Sequence, residues 1–73
     1  MLDGMSEATY RARYWRYFTE GEEECDSLDE AVAFLAHASD RGDLSAVEVV
    51  GPDGTVALGG EDLQQRMMAV LGV

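Results

Sequence analysis

The chain has 73 residues, with fifteen Asp and Glu against five Arg, one His and no Lys, for a formal net charge of −10. That length holds one domain with a modest core and a thin stability margin, and an apolar fraction of 47% argues against general disorder. The acid excess opposes direct contact with nucleic-acid phosphates or anionic membranes, and it favours solubility and attraction to basic protein surfaces.

Residues 1–8 read as a flexible lead-in, and residues 9–73 as a single domain. Residues 9–18, TYRARYWRYF, alternate and are rich in aromatics, which is a strand signal. One face carries Tyr10, Ala12, Tyr14, Arg16 and Phe18, and it is the better core face. The other carries Thr9, Arg11, Arg13, Trp15 and Tyr17. Glu20-Gly21-Glu22 reads as a turn, and residues 22–25 as a short return strand. Its glutamates suit a sheet edge, where charge discourages unwanted pairing.

Ser27-Leu28-Asp29-Glu30 forms a capping box, so a helix is expected over 28–41. Asp26 and Asp29 suit the positive end of its dipole. Leu28, Ala31, Val32, Leu35 and Ala38 make the apolar stripe, with Phe34 at its margin. Arg41 followed by Gly42 is a stop signal. SAVEVV at 45–50 is a strand with Val47 and Val49 on one face. Gly51-Pro52-Asp53-Gly54 is a turn, and 55–58 is the returning strand. Gly59-Gly60 breaks it. A second helix follows over 61–71 with Leu63, Met67, Val70 and Leu71 inward and Met68 to one side, and Gly72 ends it.

The order β-(β)-α-β-β-α predicts a two-layer α+β domain: an antiparallel sheet with two helices on one face and no element to cover the other. Cys25 is the only cysteine, so no internal disulfide forms, and a reducing cytoplasm is the expected compartment. No run approaches a membrane span, and the start of the chain has no signal-peptide pattern. The initial Met and the absence of a tag read as an intact small protein.

Two constellations invite a functional reading. Arg11, Arg13, Trp15 and Tyr17 belong to the residue types enriched at binding hot spots. The competing reading is structural: Arg stacks on neighbouring rings or pairs with Glu22, Glu23 and Glu24 across a hairpin. The acidic run from Glu20 to Glu30 steers a basic partner, or imitates spaced phosphates, or is only a solvated turn and a capped helix start. Cys25 and His37 stand about three turns apart along the chain, and no third group orients them. One Cys and one His fall short of a zinc site, and no calcium loop or nucleotide fingerprint is present. Neither catalysis nor a cofactor is expected.

The segments YWRYF, SLDEAVAFLAHASDRGD and VEVVGPDGTVAL resemble those of small α+β proteins of actinobacteria and their phages, over about residues 9–58. The resemblance implies a fold type and no functional residue. The leading expectation is a non-catalytic protein-binding module, a small regulator or inhibitor, contacting its partner through Arg11, Arg13, Trp15 and Tyr17. The acids of 20–30 would steer the encounter. The alternatives are an acidic nucleic-acid mimic or immunity-type protein that sequesters a basic partner, and a homo-oligomer that buries its own sheet face.

Overall fold

The computed structural model describes residues 9–72. The expected lead-in over 1–8, and Val73, lie outside the described residues. Six elements follow one another: β1 (Tyr10–Arg16), β2 (Thr19–Cys25), α1 (Leu28–Asp40), β3 (Ser45–Val50), β4 (Val56–Gly59) and α2 (Gly60–Leu71). The four strands form one antiparallel sheet in the order β2-β1-β3-β4. Both helices pack on the same side of it, so the expected two-layer α+β architecture is the observed one.

The first hairpin departs from its sequence reading. β1 and β2 are seven residues each and pair without a break, from Tyr10 opposite Cys25 to Arg16 opposite Thr19. The turn is therefore Tyr17-Phe18, not Glu20-Gly21-Glu22. Gly21 lies inside β2, directly opposite Tyr14. A Cβ on Gly21 would stand 2.5 Å from the Tyr14 ring, so this glycine makes room for a cross-strand aromatic. The Tyr14 ring in turn meets Phe34 of α1, with centroids 6.0 Å apart. The alternation expected through residue 18 ends at Arg16, where the chain reverses. Phe18 is consequently not a core residue, and Tyr17 is not on the sheet face; both are exposed.

The first helix follows its signals closely. Ser27 Oγ accepts from the backbone N–H of Glu30 at 3.1 Å. The returning Glu30 carboxylate accepts from the N–H of Asp26 at 3.1 Å, one residue before the cap. At the other end Gly42, at φ 81°, closes a Schellman motif: its N–H donates to Ser39 and that of Asp43 donates to Ala38. Ala31, Ala36 and Ala38 are buried alongside Val32 and Leu35. Small side chains on that face let α1 approach the sheet, where Ala12 and Val49 are fully buried.

Two bulges correct the second half. Val47 sits in an irregularity of the β1–β3 pairing, and Ala57 in one of β3–β4. An extra residue on one strand breaks the two-residue period, so Val47 is exposed while Val49 is buried. In the intervening turn Asp53 accepts from both the N–H and the hydroxyl of Thr55. On α2, Leu63 and Met67 are buried and Leu71 packs against the core, but Val70 is exposed, contrary to its expected inward position.

Candidate functional site

The sheet's outer face is set by strand register. Residues directly opposite one another project to the same side. Arg11 faces Glu24, Arg13 faces Glu22 and Trp15 faces Glu20. On the other flank Arg13 faces Glu48 of β3. Glu23 faces Ala12 and so belongs to the helix side, which splits the Glu22–Glu24 run between two faces. The expected patch of Arg and aromatics is therefore a pattern of alternating cations and carboxylates.

Arg13 is its hub. Its Nη1 donates to Glu48 at 2.6 Å, its Nη2 donates to Glu20 at 2.9 Å, and its Nε stands 3.7 Å from Glu22. The Nε is buried and has no hydrogen-bond partner. The hydrogen bond to Glu48 and the charge of Glu20 hold the guanidinium above its usual pKa. Three carboxylates around one cation leave the face with surplus negative charge, and Arg13 is spoken for by its neighbours rather than free for a partner.

The hairpin end differs in character. Tyr17 and Phe18 are 81% and 91% exposed, at φ 51° and 65°. Two positive φ values in a two-residue hairpin loop define the type I′ geometry, which Asn-Gly adopts without strain. For other L-residues each left-handed position costs about 1–2 kcal/mol. Trp15, 45% exposed, stands just behind the turn. The guanidinium of Arg16 lies 5.2 Å from the centre of the Tyr17 ring, within the range of a cation–π contact. An open recess of about 580 Å³ separates this tip from the loop between α1 and β3. Trp15, Arg16, Tyr17 and Phe18 form one wall, and Asp43 and Leu44 stand on the other.

Of the residues singled out from sequence, then, Arg11, Arg13, Trp15, Glu22 and Glu24 share the outer face, Glu23 is on its reverse, and Tyr17 is at the tip. Phe18 joins Tyr17 there, although the alternation of residues 9–18 puts it on the core face. Strand length was the signal to heed: ten residues exceed the usual five or six, and a reversal near 17–18 brings both strands to seven.

Elsewhere the chemistry is sparse. Cys25 is buried at the base of the hairpin, and burial together with Glu23, Glu30 and Asp26 pushes its thiol pKa up. A thiol so placed stays protonated near neutral pH and is a poor nucleophile. His37 is exposed on α1. Among the described residues no three His, Cys, Asp or Glu come together to hold a metal, and no helix is long and apolar enough to cross a membrane. No protein-family model, curated protein or solved structure matches this chain.

Proposed function

We propose that this chain is a non-catalytic protein-binding module, a small regulator or inhibitor, and that it engages its partner through the Tyr17-Phe18 hairpin tip with Trp15 behind it. The observation that supports this reading is the coincidence of backbone strain with aromatic exposure at one turn. A turn kept for folding alone would carry Asn-Gly. Two aromatic rings held in left-handed conformations and turned to solvent make sense as anchors, since burying each in a partner is worth about 2 kcal/mol.

The acids flanking the tip describe the partner. Glu20, Glu22, Glu24 and Glu48 outnumber Arg11 and Arg13 on the adjoining sheet face, and the whole chain carries −10. A protein with a basic surface around an apolar cleft is the complement. Charge of this kind accelerates encounter and orients it, while the aromatic anchors set the lifetime of the complex.

The test compares immobilised wild type with the double variant Tyr17→Asn/Phe18→Gly, which keeps the turn and removes its rings. A protein held by the wild type at low salt, absent from the variant, and released as salt rises is the expected result. If both retain the same proteins equally, the tip is not the contact surface.

A further inference from the structure

The two edges of the sheet are built differently. β4 is four residues long and its pairing is bulged, whereas β2 is seven residues long and pairs with β1 without a break. Among the described residues no strand lies on the far side of β2. The residues that flank a two-residue hairpin loop exchange both backbone hydrogen bonds, and here they are Arg16 and Thr19. Alternation from that pair turns the N–H and C=O groups of Gly21, Glu23 and Cys25 toward β1, and those of Glu20, Glu22 and Glu24 out from the edge. The same three residues project their carboxylates to the outer face, about 7 Å apart along the strand. Charge on that face alternates from strand to strand. Glu48, Arg13 and Glu22 stand side by side on β3, β1 and β2, and Arg11 stands beside Glu24. Each of these rows ends on a glutamate at the open edge. Arg13 Nε reaches Glu22 only at 3.7 Å, too far for a hydrogen bond. A cation on a further strand would continue both rows.

We propose that β2 is an augmentation edge: an extended segment of the basic partner, with Lys or Arg at every second position, adds to it as a fifth, antiparallel strand. In such an addition Glu20, Glu22 and Glu24 each exchange both backbone bonds with the residue directly opposite, and opposite residues share a face. The backbone groups that hold the segment and the carboxylates that select it thus belong to the same three residues. Charge that deters an acidic strand, a second copy of β2 included, attracts a basic one. β2 also begins at Thr19, directly after Phe18, so a partner engaged by the hairpin tip lies beside this edge. The inference rests on the reading of the chain as a binder of a basic protein, and it names the form in which that protein meets it.

The probe is a capped peptide as long as β2, with Lys at every second position and Thr between, titrated into the isotopically labelled full chain at about 0.02 M salt. A second peptide of the same composition has its Lys residues together. Backbone amide exchange is followed residue by residue by NMR. The alternating peptide is expected to bind at about 1 mM or tighter and to slow exchange at the N–H groups of Glu20, Glu22 and Glu24 about fivefold or more. Those of Gly21, Glu23 and Cys25, already bonded to β1, change little. The clustered peptide protects less at equal concentration. Glu22→Gln/Glu24→Gln weakens binding about fivefold, whereas Glu61→Gln/Asp62→Asn, which removes the same charge from the start of α2, weakens it less than about twofold. The inference is overturned by an absence of protection at Glu20, Glu22 and Glu24 up to about 5 mM peptide, by equal protection from the clustered peptide, or by equal losses in the two charge variants. The peptide has no large apolar side chain, so none of these outcomes bears on the tip, which partner capture by Tyr17→Asn/Phe18→Gly tests separately.

Discussion

A few side chains carry most of what is distinctive here. Tyr17 and Phe18 occupy backbone positions that favour Asn and Gly, so relieving them has a predictable sign. Tyr17→Asn/Phe18→Gly is expected to raise stability by about 1–2 kcal/mol, seen as a higher urea midpoint at unchanged m-value. A fall instead means the rings contribute to the fold, and the strain argument fails. Asp53 offers a second test at this scale. The Thr55 N–H, and then its hydroxyl, hold the Asp53 carboxyl below the usual carboxylate range. A carboxylate depressed in the folded state stabilises the protein above the pKa of the unfolded state, near pH 4. That contribution is lost as pH falls through the folded value. Asp53→Ala is therefore less stable than wild type at pH 7, and the gap narrows as pH drops beneath about 4. A gap that is constant with pH removes the role assigned to the charge.

Among the elements, the outer sheet face shows how an uncovered β-layer is tolerated. β1 presents Arg11 and Arg13 between the glutamates of β2 and Glu48 of β3. Cross-strand pairs of opposite charge contribute a few tenths of a kcal/mol to about 1 kcal/mol each. Geometry ranks the partners of Arg13. Glu48 is the less exposed acid and the closer, at 2.6 Å; Glu20 is more exposed, at 2.9 Å. Glu48→Gln should cost about 1 kcal/mol and Glu20→Gln about 0.3 kcal/mol, both measured by chemical denaturation. Equal losses would mean that Glu48 and Glu20 share the guanidinium evenly and that the ranking is wrong.

For the whole molecule, charge sets opposing trends. A folded chain at −10 repels itself more than its expanded form does. Raising ionic strength from about 0.01 M to 0.15 M shortens the screening length from about 30 Å to 8 Å. The melting temperature of the free chain should rise over that interval, while the affinity for a basic partner should fall. A melting temperature that drops with salt would show that the Arg13 network outweighs the general repulsion.

The sequence by itself determined the elements whose signals are local. The Ser27 cap, the Gly42 stop and the 51–54 turn each involve neighbours in the chain, so they were legible without knowledge of what packs where. Element order and the two-layer class followed from them. Only the tertiary structure decided register. It placed the first reversal at Tyr17-Phe18, where Gly21 lies under the Tyr14 ring, which itself leans on Phe34 of α1, twenty residues farther along the chain. Register then sent Glu22 and Glu24 to one face and Glu23 to the other, and put Val47 and Ala57 into bulges. Strand alternation has a period of two, so a shift of one residue exchanges the faces. That choice is made by contacts distant along the chain, and the location of the aromatic tip follows from it.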